Sequence, residues 1–253
     1  MAWSWFVLLC TATFAASVLS SITGGTSLIT VPVLLLMGLE PRGAIATNMV
    51  VVAAISAGAA AKFHLEGAIP RRPTLPLVVS AIPGSVLGAL AVGYLDERVL
   101  RLIILCALTV MAAILTIRSD FGARNDRRSR RTILIGYAAL ALWSVYGGLF
   151  SGGYATLLPF GIVFFFGCNL SQSVAISKVV NLVGSISASA VFATQHVIRW
   201  DLVPLLAMSA ALGGWLGARL VLRARPEQIR RLFALVLAGI ATKTGYDTWR
   251  SGR

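Results

Sequence analysis

Apolar runs separated by short charged or turn-rich punctuation follow one another along this chain, and reading between the punctuation gives ten segments. In the first half they cover residues 3–21, 25–38, 43–62, 75–94 and 99–117; in the second, 132–149, 153–167, 172–194, 202–222 and 230–247. Most reach the length that an α-helix needs to cross about 30 Å of hydrocarbon. Segments two and seven are shorter, and each follows or contains a Gly-Gly pair: the stretch SITGGTSLITVP from Ser21 to Pro32, and FSGGYATLLP from Phe150 to Pro159. Glycines, small hydroxyl residues and a proline inside an apolar run break a helix where lipid leaves no other partner for the backbone. The pattern predicts an all-α polytopic membrane protein in which helices two and seven are interrupted.

The two halves align at a nearly constant offset of 127 to 130 residues. Thr23-Gly24-Gly25 lies over Ser151-Gly152-Gly153, Pro32 over Pro159, Gly38 over Gly167, and Thr47-Asn48 over Ser177-Lys178. Phe63 then lies over Phe192, Ile69 over Ile198, Gly84 over Gly213, Gly88 over Gly217 and Arg101 over Arg231. So long a series of matches in one order points to an internal duplication. It divides the chain into a first transmembrane repeat, residues 1–117, a basic loop, 118–131, and a second repeat, 132–253.

Loop charge arbitrates the symmetry. If every segment spans, one side collects Lys62, Arg71, Arg72, six arginines between Arg118 and Arg131, and Arg219, Arg223, Arg225, Arg230 and Arg231. If segments two and seven only re-enter, leaving four crossings per half, the same residues divide far more evenly. The positive-inside rule therefore favours two inverted five-helix repeats, with both termini outside and the basic loops in the cytoplasm. The first segment has no basic region before it and continues at once into another apolar stretch, so it is expected to be retained rather than cleaved.

Composition agrees with a membrane chain: 57% of the 253 residues are hydrophobic and 12% charged, against about 25% charged in soluble domains. The net charge of +13 belongs to loops that orient helices and meet anionic lipid, and no separate basic domain stands ready for nucleic acid. Cys10, Cys106 and Cys168 are far apart, without metal or redox spacing, and read as packing residues. Catalytic, metal and phosphate-loop motifs are absent, which argues against an enzyme; no cofactor is expected.

A helix that restarts after a break offers free N–H groups and the positive end of its dipole, which suits an anion. Thr23, Gly24, Gly25, Thr26 and Ser27 would supply such donors in the first half, and Ser151, Gly152, Gly153 and Tyr154 in the second. Paired interruptions at matching positions point to a transport site; the competing reading is close helix packing. For Gly84, Gly88, Gly213 and Gly217, packing is the favoured reading.

Lys178 stands inside an apolar segment with no carboxylate sharing it. A cation there costs about 2.5 to 3.5 kcal/mol to insert, so it faces a transported anion, sits neutral, or snorkels from about two turns into its helix. Asn181 shares its face, Ser177 is near, and Thr47 and Asn48 are their counterparts in the first half. His64 and His196, near the ends of segments three and eight, suit proton coupling or simple solvation.

These features resemble the TauE/SafE sulfite exporter family, also described as the TSUP transporters. The resemblance is carried by the duplicated halves, the Ser/Thr-Gly-Gly stretch leading to Pro32 or Pro159, the following Gly38 or Gly167, and the sequels AIATN at 44–48 and AISK at 175–178. It covers essentially the whole chain. It implies a bacterial inner-membrane carrier of sulfite, sulfonates or related small sulfur oxyanions, usually moving them outward on an ion gradient. Two departures mark this sequence: Tyr154-Ala155 replaces the small polar pair after Gly25, and Asn48 stands where its counterpart is Lys178. The expected function is sulfite export, with uptake of an organosulfonate, thiosulfate or another small anion as one alternative. A membrane accessory protein anchoring an enzyme complex through the basic loop is another. The expected partners are the anion, membrane lipids and no nucleic acid; a homo-oligomer stays open.

Overall fold

The computed structural model describes residues 2–23, 27–96, 98–100, 102–103 and 128–224. Most of the expected segment at 99–117, all of that at 230–247 and most of the basic loop lie outside that description. Within it the chain forms α1 (Ala2–Thr23), α2 (Ser27–Leu36), α3 (Pro41–Leu65), α4 (Arg71–Tyr94), α5 (Arg130–Leu149), α6 (Tyr154–Phe166), α7 (Leu170–Thr194) and α8 (Val203–Arg223), with no strand among the described residues. Each matches one of the other eight expected segments. Five of them, α3, α4, α5, α7 and α8, are long and apolar enough to cross a membrane.

α2 and α6 are not. Their 10 and 13 residues rise about 15 and 20 Å, short of the hydrocarbon thickness. Here the structure refines the expectation of helices interrupted internally. In the second half the break at Ser151-Gly152-Gly153 separates α5 from α6 rather than dividing one helix. Gly153 takes a φ of 85° as the cap from which α6 starts. Pro32 and Pro159 each fall at the sixth position of their short helix. Both short helices are followed by a glycine in the left-handed region, Gly38 at φ 87° and Gly167 at φ 67°, where any side chain is strained.

Small residues set which helices touch and in which sense. On α4, a methyl added to Gly84 would lie 2.7 Å from Ala141 O, and one added to Gly88 would lie 2.0 Å from Val145 O, so α4 runs parallel to α5. On α8, Gly213 meets Phe14 and Ser17 and Gly217 meets Val18 and Ser21, so α8 runs parallel to α1 in the same way. These four glycines are therefore packing residues, the reading the sequence favoured. Apolar clusters fix the remaining directions. Ile45 and Met49 gather with Val203 and Leu206, and Ala59 and Phe63 with Ala218 and Val221, making α3 parallel to α8. Leu77 and Ala81 gather with Ile176 and Val180, and Ala89 and Val92 with Ala188 and Phe192, making α4 parallel to α7. α3 and α7 are antiparallel: Ala44 and Ile45 share a cluster with Ala188 and Phe192, while Ala59 and Phe63 share one with Leu170 and Val174.

These directions sort the described charges by face. Lys62, Arg71, Arg72, Arg128, Arg130, Arg131, Arg219 and Arg223 fall at helix ends on one face, and Arg42, Arg98 and Arg199 on the other. Contacts bear this out at both ends. Arg42 at the start of α3 donates to Leu95 O just beyond α4, at 2.9 Å. Across the molecule, Lys62 bonds Glu66 at 2.5 Å and holds that carboxyl below the usual carboxylate range, with Arg223 and Arg219 of α8 adding to the effect.

Candidate functional site

The start of α2 meets the second break. Ser27, the first residue of α2, and Ser151, just before the Gly-Gly turn, share a hydroxyl–hydroxyl hydrogen bond across the repeat boundary. Asn48 on α3 donates its amide nitrogen to Ser27 Oγ at 2.9 Å, and its amide oxygen accepts from the Thr30 hydroxyl. All four side chains are buried. In an apolar interior each unpaired polar group is costly, so a connected chain of this kind holds α2, α3 and the second break in fixed register.

Beside this chain lies a small void lined by Ser20, Ser27, Val52, Ile55, Ser56, Ala155, Lys178 and Asn181, with no free space for a water molecule. Lys178 is 3% exposed and donates from Nζ to Ser20 O at 2.7 Å. Ser20 belongs to the last turn of α1, whose final carbonyls have no partner within the helix and lie at the negative end of its dipole. The ammonium thus serves as a cap from another helix. The ion pairs among the described residues are Lys62–Glu66 and Arg199–Asp201, so no carboxylate neutralises Lys178 there. Asn181, three residues on, donates to Ser56 Oγ at 3.3 Å.

Other expected residues are placed elsewhere. Thr47 accepts from the Arg199 backbone N–H at 3.1 Å, at the connection into α8. Ser177 donates to Val174 O of its own helix at 2.7 Å. Tyr154 turns away from the void: its ring packs where a Gly147 side chain would stand, and its hydroxyl lies 3.1 Å from Ser144 on α5. Gly152 offers its carbonyl to the Tyr146 hydroxyl at 2.5 Å. His64 and His196 are exposed, near the ends of α3 and α7 on opposite faces. Gly24, Gly25 and Thr26 lie outside the described residues, and of Thr23 only the backbone is described.

Ser20, Thr30, Ser56 and Tyr146 are the contributors that sequence reading passed over. Ser56 carried a signal, since Ser185 lies over it at the repeat offset of 129; Ser20 and Tyr146 carried only their nearness to a break. Among the described residues no three His, Cys, Asp or Glu side chains gather to hold a metal. What the arrangement provides is a buried lysine, one amide and three serines around a closed space, with Asn48 behind Ser27. These are donors suited to a small oxyanion once the space opens.

Comparison with known proteins identifies the family. The family described as "Sulfite exporter TauE/SafE" matches residues 9–244. A "Probable membrane transporter protein" of Haemophilus influenzae is 24% identical, over 95% of this chain and 94% of that protein. The "Probable membrane transporter protein ORF9" of a Sinorhizobium species is 26% identical, over 92% and 89%. The "Probable membrane transporter protein YfcA" of Escherichia coli K12 is 27% identical, over 92% and 87%. No solved structure matches the chain. With its helices, its apolar spans and this match across nearly its whole length, the chain is a multi-pass membrane protein of the sulfite exporter TauE/SafE family.

Proposed function

We propose that this protein is a secondary transporter that moves a small sulfur-containing anion across the bacterial inner membrane, with sulfite export the favoured case. The observation that carries the reading is the joined break: Ser27 and Ser151 in hydrogen-bond contact beside a buried Lys178 that no described carboxylate neutralises. The anion would replace the Ser20 carbonyl as the partner of Lys178, with Asn181, Ser56 and Ser27 as further donors. Since the void has no room for even a water, loading requires the end of α1 to part from α7. Such separation of helices around a central site is what alternating access needs.

The architecture behind this is two inverted five-helix repeats. It is supported by the antiparallel run of α3 and α7, which stand at equivalent places in the two halves. The matched pairs α1–α8 and α4–α5, and α3–α8 and α4–α7, support it further. The excess of basic residues at one end supports a cytoplasmic position for that face, by the positive-inside rule. The test is a flux assay on purified protein in proteoliposomes, offering sulfite, sulfate, thiosulfate and short sulfonates at two pH values. Saturable flux of a sulfur oxyanion, with sulfite fastest, is the expected result; flux of none of them would overturn the reading.

A further inference from the structure

Among the described residues, three buried side-chain hydroxyls have no hydrogen-bond partner, Thr156, Ser173 and Ser189, all of them in the second repeat. Ser189 stands at a half-buried position in the far half of α7, whereas the other two are buried whole. Thr156 on α6 is 1% exposed and Ser173 on α7 is fully buried, yet neither side-chain oxygen has a hydrogen-bond partner. Serine and threonine in membrane helices ordinarily bond back to a carbonyl of the preceding turn. Many here do so, including Ser17, Ser144, Ser177 and Ser187. A buried hydroxyl left without a partner costs about 1–3 kcal/mol, and two in one helix pair call for a partner that comes and goes.

Their placement says which. α6 runs antiparallel to α7: Val163 gathers with Leu170 and Val174, and Leu158 and Tyr154 with Ile176 and Val180. Thr156 follows Ala155, which lines the void with Lys178 and Asn181. Ser173 lies nearer the arginine-rich end of α7, and Ser173, Ser177 and Asn181 succeed one another at four-residue steps, the spacing of neighbours on a helix surface. Among its described residues the other half has no such pair. At the repeat offset, Thr156 corresponds to Leu28 or Ile29, and Ser173 to Gly43 or Ala44. Thr30 and Thr47, the described hydroxyls of α2 and early α3 besides Ser27, are bonded to Asn48 and to Arg199.

We propose that Thr156 and Ser173 line the access path by which a small oxyanion, with its water, passes between the arginine-rich face and Lys178. The path runs along α6 and α7 of the second repeat. Their hydroxyls stay unpaired when the path is shut and bond to the anion or its hydration water when it opens. This rests on the transporter reading above, and the experiment separates the two.

Thr156→Cys and Ser173→Cys are made in full-length protein with Cys10, Cys106 and Cys168 replaced by serine, and each is treated with a charged, membrane-impermeant maleimide. Labelling is expected in inside-out vesicles, which present the arginine-rich face, and at least about tenfold slower in right-side-out vesicles, where the low-dielectric interior excludes a charged reagent. Ile45→Cys, buried in the apolar cluster, is expected to stay unlabelled. In parallel, Thr156→Val and Ser173→Ala should slow anion flux at least about threefold, the scale of one lost hydrogen bond, with no loss of thermal stability, and Ser173→Thr should restore flux. A merely structural hydroxyl would not separate flux from stability. No labelling from either side, equal labelling from both, or unchanged flux in the hydroxyl-free variants would overturn the path. A parent protein that moves no anion but labels from the arginine-rich face would overturn the transport reading instead.

Discussion

Asn48 and Lys178 occupy equivalent positions in the two repeats and do opposite things. Asn48 ties its own half together, with Ser27 on its nitrogen and Thr30 on its oxygen. Lys178 reaches into the other half, to the end of α1. Asn48→Leu should therefore leave two buried hydroxyls without their amide and lower stability by about 1–3 kcal/mol. A melting curve in detergent checks this, and a variant as stable as the parent would show that the network holds nothing. Both residues were legible in the sequence, because an amide and an ammonium inside apolar runs demand partners. Their partners were not. Ser20 contributes a backbone carbonyl, which any residue carries, and Tyr154 was drawn into the expected site by adjacency alone. Which way the first turn of α6 rotates depends on the space that Gly147 leaves for the tyrosine ring, a tertiary fact with no local signal.

At the scale of elements, the close contacts depend on glycines at four-residue spacing. The methyl of Gly88→Ala would sit 2.0 Å from a backbone carbonyl of α5, which cannot swing aside as a side chain can. We expect a loss of about 3 kcal/mol or more, the upper end of overpacking. Gly38→Ala meets no atom within 4 Å and pays only for its positive φ, about 1–2 kcal/mol. Melting temperatures in one detergent should rank Gly88→Ala below Gly38→Ala, and the reverse order would contradict the packing account. Helix positions were legible from the apolar runs, since membrane length and punctuation leave few choices. The break was legible as a place but not in form: glycines announce that a helix stops, not whether the chain resumes along the same axis. The structure places the second break between α5 and α6, leaving α6 too short to cross alone.

For the molecule as described, the helix pairings follow the order of the sequence matches, which is what the proposed inverted repeats require. α1 pairs with α8 as α5 pairs with α4, and α3 with α8 as α7 with α4, while the central α3 and α7 oppose each other. The basic face could be read from loop charge before any helix was placed, because arginine at a helix end stays on its side of the membrane. The inequality proposed for the halves was visible in the sequence only as one substitution, lysine for asparagine; the structure adds the unpaired hydroxyls of α6 and α7 to the same half. The central claim is that the charge of Lys178, not its role as a cap for α1, moves the anion. Lys178→Gln keeps a donor within reach of the Ser20 carbonyl and removes the charge. The direct measurement is sulfite flux of Lys178→Gln in proteoliposomes, beside its melting temperature. The account predicts a folded protein whose flux falls at least about tenfold, the scale for losing a buried charge from its partner; a folded variant with the flux of the parent would contradict it.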